Sequence, residues 1–322
     1  MKAVQVAELR GAEGVVVNEV PEPTADGKVL VEVHAAGISF PDVLKSQGLY
    51  QDKPDLPFTI GGEFGGVVIS APAGSDLEPG DRVAGISMTG SAMDIVAVTR
   101  DSLIPVPAAI TFEQAAALPL NYSTAVLALE IRARMKAGET VLVHGAAGGT
   151  GTAAIQVSNA LGGRTIGVVS SATKEGIARA AGASDVVRSD GPWKDAVLEL
   201  THGRGVDIVF DPVGGDRVLD TMRSLAPAGR WIVIGFVGGA IPEIALNRIL
   251  LRNISVVGAY YGGWLGAHPE SRAEIGHRIV ELVKAGHIKP IVGSVHDLDD
   301  PGATLREMID RRAVGKVVLR MR

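Results

Sequence analysis

Two patterns of apolar and polar positions divide the chain near residue 120. Before it, short β-branched runs alternate with turn residues. Val15–Val17, Lys28–Val33 and Gly66–Ile69 are such runs; glycines at 27, 37, 61, 62, 74 and 80 and prolines at 21, 23, 54, 57, 72 and 79 separate them. Runs of this kind predict strands. Pro79-Gly80-Asp81-Arg82-Val83 predicts a turn feeding another. The region therefore predicts mostly antiparallel β structure, a partly closed barrel.

After residue 110 the period changes. Thr111-Phe112-Glu113-Gln114 is a candidate capping box. It predicts a helix through Ala115–Leu118, broken by Pro119, and a longer helix from Asn121 to Met135. From Thr140 the chain alternates. Strands are predicted at Thr140–His144, Thr165–Val169, Asp185–Val187, Val206–Phe210, Trp231–Gly235 and Ile254–Gly258. Helices are predicted from the glycine turn through Leu161, and at Thr173–Ala181, Trp193–Leu200 and Arg217–Leu225, with Gly182 closing the second. Such alternation means a parallel, doubly wound sheet. The last segment predicts a helix at Arg272–Ala285, then Ile288–Pro290, a helix near Ala303–Arg311 and a strand at Lys316–Leu319.

Composition narrows the function. At 322 residues two domains are expected. The 41 glycines are about twice average usage and suggest close backbone approach to something. Aromatic residues are only 4% and the net charge is −5, which argues against a nucleic-acid partner. There is no cysteine, so disulfides, thiolate zinc sites and cysteine nucleophiles are excluded. The seven histidines are scattered, with no i, i+4 pair. The longest uncharged run, Thr140–Gly163, holds His144, Gln156 and six glycines, and reads as strand, turn and helix rather than a membrane span. No signal-peptide core follows Met1, and a cytoplasmic location is expected.

The most informative stretch is Val141 to Gly151, a strand, a turn of small residues and a helix start. Amides at such a helix start, and the helix dipole, favour a pyrophosphate. Read as A-x-G-x-x-G, its positions are Ala146, Gly148 and Gly151. Sitting inside a βαβ unit, it predicts dinucleotide binding, with Ala147, Gly148, Gly149 and Thr150 presenting amides. The second strand carries no acid at its tip to bind the ribose hydroxyls of NAD. Ser170, Ser171 and Lys174 follow instead and suit the 2′-phosphate of NADPH.

With these residues in place, nearly the whole chain resembles the zinc-independent NADPH:quinone oxidoreductases (zeta-crystallin-like) of the medium-chain dehydrogenase/reductase superfamily. The stretches that carry the resemblance are His34–Asp42, Gly48–Tyr50, Gly61–Val68, Gly80–Val83, Ala117–Pro119, Val141–Gly151, Asp211–Gly215, Gly229–Arg230, Ile234–Phe236 and Gly315–Leu319. The resemblance implies an α/β protein with a GroES-like β-rich catalytic domain, residues 1–122 and 264–322. It also implies a Rossmann domain with a doubly wound parallel sheet, residues 123–263. A homodimer joined edge to edge through the Rossmann sheets is expected, with no membrane partner. In the zinc alcohol dehydrogenases of the superfamily, cysteine and histidine stand where this chain has Ser39 and Gly62.

Without zinc, acceptors that take hydride readily are favoured: quinones first, conjugated enones or enoyl thioesters second. A non-catalytic NADPH-binding protein is the reading from another class. The resemblance makes Ser39, Tyr50 and Thr124 the candidate catalytic residues. Tyr50 would serve as donor or wall, and Thr124 would touch the nicotinamide. Ser39 stands where relatives more often carry asparagine, and Leu44 where some carry tyrosine. Arg188, beside Ser189 where relatives have a tyrosine, is a candidate for the 2′-phosphate. Phe236 lies at the strand edge where ligands bind. Asn247 is read as structural, and Tyr260, Tyr261 and Trp264 as an aromatic wall or a dimer contact.

Overall fold

The computed structural model describes residues 1–322. The chain separates into two compact units. One comprises Met1–Leu120, Arg272–Val280 and Pro290–Arg322; the other comprises Asn121–Ser271 and Glu281–Lys289.

Along the chain come strands β1 (Lys2–Val6), β2 (Val15–Glu19) and β3 (Val29–Ile38), helix α1 (Phe40–Ser46), and strands β4 (Phe58–Thr59), β5 (Glu63–Ser70), β6 (Arg82–Ile86), β7 (Ile95–Val98) and β8 (Leu103–Pro105). Helices α2 (Phe112–Ala115) and α3 (Pro119–Val126) follow. The alternating part runs β9 (Thr140–His144), α4 (Gly149–Ala160), β10 (Arg164–Val169), α5 (Ala172–Ala180), β11 (Asp185–Arg188), α6 (Trp193–Leu200), β12 (Val206–Asp211), α7 (Val218–Ser224) and β13 (Leu225–Val233). The chain closes with α8 (Asn247–Arg252), β14 (Ser255–Gly258), α9 (Tyr261–Ala267), α10 (Ser271–Lys284), β15 (Val292–His296), α11 (Ala303–Ile309) and β16 (Lys316–Arg320).

The first unit is built on a sheet ordered β15-β16-β3-β5-β6-β8, with β7 also pairing β3, and a smaller sheet β2-β1-β4. All of these pairs are antiparallel except β15 with β16. The expected GroES-like, β-rich domain is thus present. Its core gathers Val4, Val31, Val33, Ile60, Phe64, Val83 and Leu319. β3 alternates buried and half-buried residues over its first six positions and is then buried throughout. Its second half therefore has protein on both faces.

The second unit carries one parallel sheet ordered β11-β10-β9-β12-β13-β14. With β9 as the first strand this is the 3-2-1-4-5-6 order of the Rossmann fold. β9 is buried at every position, as expected for a strand covered by helices on both faces. Leu142, Ile166, Val209, Trp231 and Val197 form its core.

Several elements differ from expectation. Pro119 starts a helix instead of breaking one. The Thr111 box is made, with Thr111 N–H donating to Gln114 Oε1 at 3.1 Å and Gln114 N–H to Thr111 Oγ1 at 3.2 Å, but α2 stops at Ala115. The long helix foreseen to Met135 ends in a π-helical segment, Leu127–Arg132. β13 begins at Leu225, six residues early, because its first residue pairs with Val206. Ile288–Pro290 carries no regular element, and the strand beside β16, not foreseen, is Val292–His296.

Candidate functional site

The turn between β9 and α4 is set by backbone crowding. Gly145 has φ +61, which favours glycine. A Cβ on Gly151 would lie 2.2 Å from the carbonyl oxygen of Gly145, so only glycine lets the first turn of α4 close on the strand. Gly148 caps α4 with extended backbone, and the space beside its Cα is open apart from Gly145 O at 3.4 Å. The face of the turn at Gly148 is thus clear for a ligand, while the face at Gly151 is filled by protein. Asn121, at the start of the second unit, braces the turn from behind. Its amide faces Gly149, and Thr150 Oγ1 donates to its Oδ1 at 3.3 Å.

The turn after β12 lies alongside. Asp211 is buried and accepts from the N–H groups of Val213 (2.9 Å) and Gly214 (3.0 Å) and from Trp231 Nε1 (3.0 Å). Those bonds shape the Pro212–Gly214 loop, whose Val213 approaches Gly145. Beneath the glycine turn, His144 is buried with Nε2 3.0 Å from Thr221 Oγ1 and its ring edge-on to Trp193. Burial pushes the imidazole pKa down from 6.5 to about 4.

The remaining cofactor candidates lie at the C-terminal ends of successive strands of this sheet. Ser170 is exposed just beyond β10. Ser171 caps α5, its Oγ accepting from Lys174 N–H at 3.4 Å, so Lys174 sits in the first turn beside Ser170. Arg188 ends β11 and is paired with Asp190, Nε to Oδ1 at 3.1 Å. Its charge is therefore already met. Arg217, which sequence reasoning passed over, donates to Ser189 Oγ at 3.3 Å. A cavity of about 420 Å³ opens there, lined by Ser189, Trp193, Lys194, Asp216, Arg217 and Asp220. Phe236 follows β13 half-buried, its ring edge against Gly214. Thr124 lies half-buried on α3.

In the first unit, Ser39 and Tyr50 flank the two ends of α1. Asp42, buried in the first turn, accepts from Ser39 N–H (2.8 Å) and Gly61 N–H (2.9 Å). It fastens the start of α1 to the segment that enters β5. Burial nonetheless outweighs these two bonds and pushes its carboxyl above the ordinary value. Lys45 lies 5.6 Å from the centre of the Tyr50 ring and pairs with Asp52 at 3.1 Å. Ser39 Oγ accepts from Lys316 Nζ at 2.6 Å. The same ammonium is ion-paired with Glu63, whose other oxygen accepts from Leu120 N–H at 2.8 Å. The side chains of Lys316 and Glu63 are 3% and 0% exposed. Sequence reasoning missed this pair; 253 residues separate its members, and no spacing signals it.

The aromatic trio does not act as one wall. Tyr261 is buried and Tyr260 is exposed, while Trp264 stacks on His268 and donates to Ser271 Oγ at 3.0 Å. Asn247 opens α8 on the surface.

Comparison with known proteins gives two family matches. The alcohol dehydrogenase GroES-like domain matches residues 25–108 and the zinc-binding dehydrogenase family matches residues 149–281. Quinone oxidoreductase-like protein 2 of Rattus norvegicus is 40% identical over 305 residues, covering 94% of this chain and 87% of that protein. A probable oxidoreductase from Mycobacterium abscessus superposes with a TM-score of 0.91 at 39% identity, covering 99% of this chain and 98% of that one. A mycobacterial protein solved in complex with NADPH superposes with a TM-score of 0.89 at 29% identity, covering 99% of both chains.

Proposed function

The chain belongs to the quinone oxidoreductase family of the medium-chain dehydrogenase/reductase superfamily, and from that premise we propose that it reduces quinones with NADPH, without a metal. The observation that carries the metal-free reading is the ammonium of Lys316 on the Glu63 carboxylate, beside Ser39. A buried cation already neutralises Glu63, and both oxygens of the nearby Asp42 are taken up by the N–H groups of Ser39 and Gly61. With the Ser39 hydroxyl as the remaining ligand atom, the set does not fit a divalent ion. The family match named for zinc binding covers only residues 149–281, and so does not include Ser39, Glu63 or Lys316.

The residues of the second unit fit NADPH. The clear face at Gly148 admits a pyrophosphate to the amides of Ala147, Gly148, Gly149 and Thr150, and the closed face at Gly151 fixes the helix behind them. Ser170 and Lys174 receive the 2′-phosphate, and the backbone at Phe236 meets the carboxamide. NADPH supplies the hydride. The protein orients the acceptor and offers hydrogen-bond donors to the oxyanion that develops on it. Thr124 helps place the nicotinamide, and Ser39 and Tyr50 are the donors for the acceptor. A quinone needs no Lewis acid, because its carbonyls are electron-poor and aromatisation drives the transfer. The 40% identity to a quinone oxidoreductase-like protein supports the same acceptor class.

The test is NADPH consumption with a para-quinone, an ortho-quinone and an enoyl thioester in parallel. Turnover with either quinone and none with the thioester is expected. Turnover with the thioester alone replaces the reading with C=C reduction.

The protein works as a homodimer in this reading. β14 is the outer strand of the parallel sheet, and Leu246, Leu250 and Leu251 beside it are 72–77% exposed. An open strand edge next to exposed leucines is what edge-to-edge pairing covers.

A further inference from the structure

The Lys316–Glu63 pair has a chemical consequence for Ser39. Both charged side chains are buried, whereas Ser39 is only half-buried. The ammonium donates to Ser39 Oγ, and it lies behind that hydroxyl in the order Glu63, Lys316, Ser39. A hydroxyl that accepts one bond from a cation keeps its own hydrogen for a different partner. The neighbouring positive charge makes it a stronger donor and lowers the cost of its transient oxyanion. Glu63 is fixed in turn by Leu120 N–H, and Ser39 N–H is held by Asp42. Every member of the row is therefore anchored to backbone or to a buried charge.

Resting on the quinone reduction argued above, we propose that Lys316 is a positioning residue that makes Ser39 the proton donor to the reduced acceptor. Hydride transfer from NADPH leaves the acceptor as an oxyanion. The Ser39 Oγ–H bond breaks as the new O–H bond forms on that oxyanion. One Lys316 N–H proton moves onto Ser39 Oγ, restoring the hydroxyl. The neutral Lys316 amine then takes a proton from water. The sum is one hydride and one proton per hydroquinone formed. Besides Glu63 on β5, the Asp42 carboxyl on α1 interacts electrostatically with Lys316, and Asp42 does so in turn with Lys45.

The test uses the full chain with Ser39→Ala, Lys316→Met, Lys316→Arg and the Ser39→Ala/Lys316→Met double variant. p-Nitrophenol serves as a chromophoric stand-in for the hydroquinone oxygen, titrated by absorbance without NADPH. Bound to the unsubstituted protein it is expected to ionise about one pH unit lower than when free, since one unit is a tenfold preference for its anion. The shift disappears in Ser39→Ala and Lys316→Met and returns in Lys316→Arg. With NADPH and a para-quinone, kcat falls by roughly 10²-fold in Ser39→Ala and in Lys316→Met, as for loss of a general acid, and recovers in Lys316→Arg, while KM stays within about 3-fold. The double variant loses no more than Ser39→Ala, because the two act as one unit. Multiplying losses in the double variant, an undiminished shift in Ser39→Ala, or no shift in the unsubstituted protein overturns the proposal. If Lys316→Met fails to fold by thermal melt, Ser39→Ala against the unsubstituted protein decides alone, since it leaves the ion pair in place. A shift without quinone turnover refutes quinone reduction while leaving the polarised Ser39 standing. Turnover without a shift does the reverse.

Discussion

Lys174 and Arg188 both stand at the C-terminal edge of the parallel sheet, and both are candidates for the 2′-phosphate, yet their surroundings separate them. Arg188 is exposed and held by Asp190 on its own loop. To receive a phosphate it must give up that carboxylate. Lys174 stands in the first turn of α5, behind the Ser171 cap and next to Ser170. Charge-assisted bonds to a phosphate are worth about 1.5–3 kcal/mol each, or roughly 10- to 100-fold in Kd. Lys174→Ala is therefore expected to raise the Kd for NADPH by at least ~10-fold and that for NADH by no more than ~2-fold, by fluorescence titration. Arg188→Ala is expected to leave both within about 2-fold. Equal losses for NADPH and NADH in Lys174→Ala would remove Lys174 from the phosphate site. Of the candidate site residues, those in the glycine turn were legible in sequence because their spacing is local. Lys316 with Glu63 and Asn121 with Thr150 were not. Each such pair comes from remote segments that only the folded chain brings together.

Among the elements, the β9–α4 turn separates backbone closure from ligand access. Gly151→Ala places a methyl 2.2 Å from Gly145 O, so strand and helix must part. Overpacking of this kind costs about 1–3 kcal/mol. A lowered Tm and lost NADPH binding are expected together. Gly148→Ala meets nothing closer than 3.4 Å and its backbone is extended. Its Tm should hold while NADPH affinity falls, because the methyl stands where the pyrophosphate approaches; a Tm loss equal to that of Gly151→Ala would contradict this division. At the end of β9, His144 adds a pH dependence. Its folded pKa, about 4, lies below the ordinary 6.5. The unfolded chain then binds the extra proton first, and stability is lost as pH falls from about 6.5 toward 4. By linkage the loss reaches about 2 kcal/mol at pH 5. Urea midpoints between pH 7 and 5 should show this slope, and His144→Gln should flatten it; an unchanged slope would assign it to other groups. Legibility at this scale followed burial. β9, β10 and α6 were foreseen nearly to the residue, since apolar periodicity defines them. β15 was missed because Val292-Gly293-Ser294-Val295-His296 is no more than half-buried, and its pairing with β16 decides its conformation.

For the whole molecule, the question is what covers the end of the parallel sheet. A six-stranded sheet has two edges. Both edge strands are four residues long, but β11 ends in the Arg188–Asp190 pair, a charged termination of the kind that discourages pairing. β14 has no such guard. Its Ser255 and Val256 are exposed, and α8 with its N-cap presents Leu246, Leu250 and Leu251 to solvent, with Arg248 among them and Arg252 after them. A monomer in solution would keep these leucines in water. In the proposed dimer, pairing β14 with its copy about a two-fold axis would bury them on both subunits at once and satisfy the open strand edge. Each leucine taken from exposed to buried contributes roughly 1.5–3 kcal/mol. Leu250→Asp with Leu251→Asp adds two desolvated carboxylates per subunit, facing their symmetry mates. Sedimentation equilibrium should therefore give a dimer for the unsubstituted chain and a monomer for the double variant, with NADPH affinity within about 2-fold, since the cofactor residues lie at the ends of β9 and β10. A monomer for the unsubstituted chain at micromolar concentration would leave the leucines of α8 to a different occupant. A double variant that stays dimeric would move the interface away from β14.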